Sequence, residues 1–197
     1  MTNIIEKLLC NEKHQLVEDG KKKVLFREYY PENCVEIEGP TSDGKYIILE
    51  VHRDERWVKV ETEKVEEAAF YAVILYKRVC GDRVIDREEE EKLDNYMELG
   101  KSQHVLDYII KKFDASIYSI DCVEYLKISL IRSRNVVDVM FAGEYVVKDK
   151  EIRLGYVVFY NYCTLLNYIK SICDEIEKEY NYIICREKAY RLYVLKK

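Results

Sequence analysis

The chain has 197 residues, enough for one medium domain or two small ones, and 48 % of them are hydrophobic, which supports a packed core and excludes a largely disordered chain. The formal net charge of −5 removes the basic surface that nucleic-acid binding usually shows. No apolar run reaches the length of a membrane span, and Glu6 and Lys7 interrupt the apolar start of the chain, so we expect neither a membrane helix nor a secretory signal. The seven scattered cysteines form no CxxC pair and predict reduced, buried thiols in a cytoplasmic protein.

The first part of the chain predicts a helix, four strands and a second helix, in that order. Apolar residues recur at helical spacing from Ile4 and predict a first helix that ends near Val17. Thr62 is a suitable N-cap for the second helix, which is apolar around most of its circumference, as expected of a helix buried against a sheet. Gly81 is placed to end this helix. The predicted strands cover 21–30, 34–38, 45–51 and 57–61, with a further short strand over 83–86.

An acidic helix is predicted to follow, over residues 86–99. Asp86 is a good N-cap, and Glu89 stands three residues later, as in a capping box. Leu93 and Met97 give this helix a narrow apolar stripe, and Gly100 ends it. We interpret it as the connection between two halves of the chain.

The second part predicts a helix from Ser102, then strands, then a long helix that begins at Asn161 or Thr164. A hairpin is expected to turn at Asp149 and Lys150. The predicted strands cover 123–131, 136–141, 144–147 and 152–160, with closing strands over 182–185 and 190–195.

The two parts resemble each other when Gly44 is aligned with Gly143. GKYII then falls on GEYVV, and Trp57 falls on Tyr156, with a predicted hairpin leading into a helix in both copies. Chance similarity is the alternative, because this arrangement is common and the identities are few. We predict an α+β fold of two similar lobes from a tandem duplication, 1–100 and 101–197. Each lobe is an antiparallel sheet of about four strands packed against a long helix, in the order α-ββββ-α-β.

No catalytic, metal or nucleotide motif is complete in this sequence. His52, Arg53 and Asp54 spell a triplet of the protein-kinase catalytic loop, but the other kinase motifs are absent. The three histidines are not spaced for a metal site, and GxSxG, GxGxxG and GxxxxGK[ST] do not occur. We therefore assign no catalytic, cofactor or metal residue.

Two features of composition point instead to a binding surface. The run of four acids from Glu88 is either the solvated first turn of a helix or an acidic patch for a basic partner. The eighteen tyrosines outnumber the five phenylalanines, and tyrosine is enriched at interfaces, although a bias in composition would also explain the number. The candidate partner-binding residues are Glu88, Glu89, Glu90, Glu91, Tyr156, Tyr160 and Tyr162.

These observations favour a non-enzymatic, cytoplasmic, protein-binding protein. Small size, an acidic composition, an α+β fold and the absence of motifs are typical of immunity proteins that neutralise a toxin. Opposite charge would speed the association of such a protein with a basic, nuclease-type toxin. The alternatives are a secretion-type chaperone and a small-molecule binder or enzyme with its site in the cleft between the lobes. We expect a protein partner, no cofactor, no nucleic acid and no membrane, and either a monomer or a homodimer.

Overall fold

The computed structural model describes residues 1–27, 32–53 and 55–195. The α+β class is confirmed, because helices accompany one five-stranded antiparallel sheet and one four-stranded mixed sheet. The contacts between residues divide the chain into two compact units: unit 1 holds 1–82 and 173–185, and unit 2 holds 83–172 and 186–195. The domains predicted at 1–100 and 101–197 stay a prediction.

The sheet of unit 1 is an antiparallel meander whose strands lie in chain order. The strands predicted over 34–38, 45–51 and 57–61 are confirmed, and the one predicted over 21–30 is confirmed as far as Phe26. Its last part, 28–30, lies outside the described residues. The strands are β1 Gln15–Asp19, β2 Lys22–Phe26, β3 Asn33–Glu38, β4 Tyr46–His52 and β5 Glu55–Thr62.

The predicted first helix is wrong in its second half. Helix α1 spans Thr2–Leu8, a turn follows it, and the last predicted helical residues, from Gln15, belong to strand β1. Leu16 pairs with Leu25, and Val17 pairs with Val24, so the ladder to β2 supplies backbone hydrogen bonds that the helical pattern did not anticipate. A short apolar pattern is compatible with both structures, and the neighbouring strand decides between them.

Helix α2, Val65–Val79, packs on one face of this sheet and forms the core of unit 1. Nine consecutive residues, from Ala68 to Tyr76, are buried, and each large apolar side chain among them contributes about 1.5–3 kcal/mol. The N-cap is Lys64 rather than the predicted Thr62, whose hydroxyl accepts a hydrogen bond from the Lys64 amide. The sheet residues buried on the same face are Leu25, Val35, Ile37, Ile48 and Val60.

The sheet of unit 2 is mixed because its first strand runs parallel to the second. The chain has to reverse twice in the connection over 121–127, where Asp121 and Leu126 both take a φ of +57°. The strand predicted over 136–141 is confirmed, whereas the one predicted over 123–131 begins only at Ile128. The strands are β6 Tyr118–Ile120, β7 Ile128–Ser133, β8 Val136–Phe141 and β9 Glu144–Glu151.

The strand predicted over 152–160 is wrong, because helix α5 spans Ile152–Tyr180. The hairpin expected at Asp149 and Lys150 is therefore replaced by the end of β9 and the start of this helix. The helix also begins before Asn161 and Thr164, the two predicted starts. The alternating apolar run hides a second pattern, since the buried residues stand at spacings of three, four and seven: Tyr156, Phe159, Tyr160 and Cys163.

The tandem duplication is not confirmed. The proposed alignment pairs Trp57, which lies on β5 and is 40 % exposed, with Tyr156, which lies in α5 and is 4 % exposed. The two sheets also differ in their number of strands and in strand direction. Similar local sequence has therefore produced different structure in the two places.

The remaining elements are helical. Helices α3, Arg87–Glu98, and α4, Ser102–Lys112, confirm two predictions. The strands predicted over 83–86, 182–185 and 190–195 are wrong: the first two segments have no regular structure, and the third belongs to a helical tail. That tail consists of α6, Arg186–Tyr190, and a π-helical turn, Arg191–Leu195. Each helix in the described part of the chain is too short or too polar to cross a membrane.

The cysteines are less uniformly buried than predicted. All seven are free thiols in the structure. The prediction of buried thiols holds for Cys34, Cys80, Cys163 and Cys173, and it is wrong for the exposed Cys10, Cys122 and Cys185.

Candidate functional site

The predicted acidic run forms the first turn of helix α3. Asp86 caps the helix, because its carboxylate accepts hydrogen bonds from the backbone amides of Glu88, at 2.8 Å, and Glu89, at 3.4 Å. Glu88 and Glu91 are exposed, whereas Glu89 and Glu90 are partly buried. The four acids therefore divide into an outer pair and an inner pair.

The inner residue Glu89 joins three helices of unit 2. Its Oε1 accepts a hydrogen bond from the Tyr108 hydroxyl of α4 at 2.5 Å, and its Oε2 accepts from Lys112 Nζ of α4 and from the Tyr160 hydroxyl of α5. Lys112 Nζ also donates to the Tyr160 hydroxyl at 3.0 Å. We call these four residues the Glu89 cluster. The structure thus brings together Glu89 and Tyr160, two of the residues that the sequence singled out separately.

The ionisation of the Glu89 cluster is fixed near neutral pH. Burial alone would raise the pKa of Glu89, but hydrogen bonds from Lys112, Tyr108 and Tyr160 outweigh it and lower the pKa to about 2. Burial opposes the charge of Lys112, yet the bonds to Glu89 and Tyr160 raise its pKa. Burial and the bond to Glu89 raise the pKa of both tyrosines. These shifts favour a charged Glu89, a charged Lys112 and two neutral tyrosines near pH 7.

The second inner carboxylate, Glu90, is held in the same way. It accepts hydrogen bonds from Arg83 Nη2 and from Asn161 Nδ2, both at 2.6 Å. The outer carboxylates of Glu88 and Glu91 have no side-chain partner among the described residues. Helix α3 is thus anchored by two glutamates and presents the other two to solvent.

The predicted tyrosines lie mainly inside unit 2. Tyr156 is buried and its hydroxyl accepts a hydrogen bond from Arg132, and Tyr160 is fully buried in the Glu89 cluster. Tyr162 is half-buried. The accessible side chains of the predicted set are therefore Glu88, Glu91 and Tyr162, and the role of the whole set in partner binding stays a prediction.

A pocket of about 370 Å³ opens beside the Glu89 cluster and is lined by Glu89, Tyr108, Lys111 and Lys112. A second pocket, of about 310 Å³, lies in unit 1 and is lined by residues between Asp19 and Thr41. Among 1–27, 32–53 and 55–195, no three acidic, cysteine or histidine side chains are grouped to hold a metal ion. Of the kinase-like triplet, His52 ends β4 and Arg53 lies in the turn after it, while Asp54 lies outside the described residues.

Unit 1 carries an apolar surface that sequence reasoning missed. Across the five strands, the pairing places Val17, Val24, Glu36, Leu49 and Val58 in one row, on the face opposite the one that packs against α2. We call this side of the sheet the outer face. The edge residues Val17 and Val58 are 49 % and 57 % exposed, so the outer face is open to solvent at both edges.

The middle of the outer face combines apolar packing with one buried carboxylate that contacts two partly exposed cations. Glu36 is buried, and its carboxylate contacts Lys22 Nζ at 2.6 Å and Arg56 Nη2 at 2.8 Å. Apolar residues pack together around it, and these are Phe26, Cys34, Leu49 and Val51, with Val24 and Ile47 against them. The signal was present in the sequence, because the consecutive apolar residues 47–49 must place side chains on both faces of a strand.

These features define an α+β protein with one sheet face that is open to solvent at its two edges and buried in its middle, and one polar cluster beside a small pocket. Comparisons with family models, with curated proteins and with solved structures find no match to this chain.

Proposed function

We propose that this chain is a non-enzymatic protein that binds another protein through the outer face of the unit 1 sheet. The observation that supports this function is the row from Val17 to Val58, apolar at both open edges and interrupted by a paired carboxylate. Exposed apolar side chains with charged residues around them occur in protein-binding sites.

The charges of the outer face favour a basic partner. Four acidic strand residues lie on this side: Asp19, Glu36, Glu38 and Glu61. Three basic residues oppose them, because Lys22 and Arg56 lie on the same side and Lys45 Nζ is 3.6 Å from the Glu61 carboxylate. Together with the net charge of −5, this balance would steer a basic protein toward the surface. Our specific hypothesis is a cytoplasmic immunity protein that neutralises a basic toxin.

The exposed acids of α3 are a second proposed contact, in unit 2. Glu88 and Glu91 stand on a helix that Glu89 and Glu90 anchor, so ordering this surface costs little when a partner binds. Tyr162 is the accessible tyrosine of the predicted set. This contact is tested separately from the outer face, by Glu88→Gln and Glu91→Gln.

The experiment is affinity capture from the source cells with three variants of the tagged chain. Val17→Asp and Val58→Asp place a charge on the outer face, and Val123→Asp is the matched control, since Val123 is similarly exposed in the 121–127 connection of unit 2. Circular dichroism checks that each variant folds. We expect a captured protein whose affinity falls at least about tenfold in the outer-face variants, a loss of about 1.4 kcal/mol, and is unchanged in the control.

Growth assays then distinguish the kinds of partner. Under the toxin hypothesis, expression of the captured protein alone arrests growth, and co-expression of this chain restores it. A secretion client would not arrest growth. Recovery of small molecules without any protein, or equal capture by Val58→Asp and Val123→Asp, would overturn the proposed function.

A further inference from the structure

The pocket beside Tyr108 has an excess of positive charge within an acidic chain. Glu89 is already matched by Lys112 and by two hydroxyl donors. Lys111 also lines the pocket, and no acidic side chain in the described part of the molecule pairs with it. Lys92 Nζ lies 6.0 Å from the centre of the Tyr108 ring. Because Glu89 neutralises Lys112, the ammonium groups of Lys111 and of the nearby Lys92 leave an excess of positive charge here. This charge favours an anionic ligand.

The pocket also offers a preorganised donor. A lysine ammonium has three N–H groups. Lys112 donates one to Glu89 and one to Tyr160, which leaves a third for a ligand. These bonds hold the ammonium in place, and it lies 5.1 to 5.8 Å from the centres of three aromatic rings, those of Tyr108, Phe113 and Tyr160. A donor fixed in this way loses little freedom when an anion binds.

The walls of the pocket limit the size and shape of the ligand. A volume of about 370 Å³ is at the lower end of the range for small-molecule sites. Tyr108 is part of the lining, and its hydroxyl donates to Glu89. A flat ring can stack on the ring of a tyrosine.

We propose that this pocket binds a small organic anion that carries a planar ring, such as an aromatic carboxylate. The carboxylate accepts hydrogen bonds from the third N–H of Lys112 and from Lys111, and the ring lies against Tyr108. The site is separate from the outer face and does not depend on the function proposed for it.

The test is an NMR titration of the full chain with three probes. Benzoate has both the ring and the charge, inorganic phosphate has only the charge, and benzyl alcohol has only the ring. We expect benzoate to shift the amide signals of residues 108–112 and to bind at least about fivefold more tightly than either other probe. If phosphate or benzyl alcohol binds as tightly as benzoate, or if benzoate shifts no signal in this segment, the proposal is wrong.

Two pairs of variants localise the binding. Lys111→Ala should weaken benzoate binding at least about threefold, whereas Lys101→Ala, which makes the same change of charge at another exposed lysine, should leave it unchanged. Tyr108→Leu should abolish the preference for benzoate over phosphate, and Tyr108→Phe should retain this preference. If Tyr108→Leu does not fold, the comparison of Lys111→Ala with Lys101→Ala tests the site alone. Equal affinities of these two variants for benzoate would show that the proposed site is wrong.

Discussion

Replacing Glu89 with glutamine tests whether the Glu89 cluster stabilises unit 2. Three hydrogen bonds hold the pKa of Glu89 at about 2, compared with about 4.3 for a free glutamate. A difference of about two pKa units corresponds to about 3 kcal/mol in the free energy of unfolding at pH 7. The Glu89 side chain is 32 % exposed, and solvent screening reduces this value. We therefore expect Glu89→Gln to cost about 1–2 kcal/mol.

The dependence on pH has a definite sign. Because the pKa of Glu89 is lower in the folded chain than in the unfolded chain, its contribution is complete above about pH 5 and is lost as the pH falls through about 2. Urea denaturation followed by circular dichroism should show the full deficit at pH 7 and less than about half of it at pH 3. Glu91→Gln is the control and should lie within about 0.5 kcal/mol of the wild type. A deficit equal to that of the control, or one unchanged at pH 3, would refute the reasoning.

Two further predictions concern packing and the thiols. Gly155→Ala should destabilise the chain by about 1–3 kcal/mol in urea denaturation, because a Cβ there would overlap the Val137 side chain. Adding Val137→Ala should restore part of the loss. If the single change stabilises the chain, the predicted overlap with Val137 is wrong. Iodoacetamide should modify the exposed Cys122 in the folded chain and Cys163 only after unfolding, because burial raises the pKa of the Cys163 thiol. Equal rates of modification of the two thiols in the folded chain, measured by mass spectrometry, would contradict this burial.

Local signals in the sequence were sufficient where one pattern had one structural solution. The strands β3 to β5 follow from alternation bounded by turn residues, and α2 follows from a long apolar run with acids at its start and Lys77 and Arg78 at its end. Asp86 was recognised as the cap of α3 because its side chain acts on the nearest amides. These are interactions between residues close in the chain, which a sequence displays directly.

The secondary-structure predictions were wrong where contacts with residues distant in the chain determine the structure. The segment at Val17 became a strand because β2 pairs with it, and the residues from 152 became a helix because the stripe from Tyr156 to Cys163 is buried in unit 2. Both segments contain β-branched residues in short apolar patterns that either structure can use. The outer face was missed for a related reason, since its rows exist only once the register of five strands is known.

The division of the acidic run was readable from the sequence through helical geometry. Glu89 stands four residues before Leu93 and eight before Met97, so it lies on the same face as the buried stripe of α3. Glu88 and Glu91 are three residues apart and lie on the opposite, solvated side. A partner that uses this helix would therefore meet the outer pair, whose replacement should alter the rate and salt dependence of association. Replacing a residue of the inner pair would instead lower the stability of unit 2. If a change at Glu89 weakens partner binding, the urea experiment is therefore needed to separate lost stability from lost direct contact.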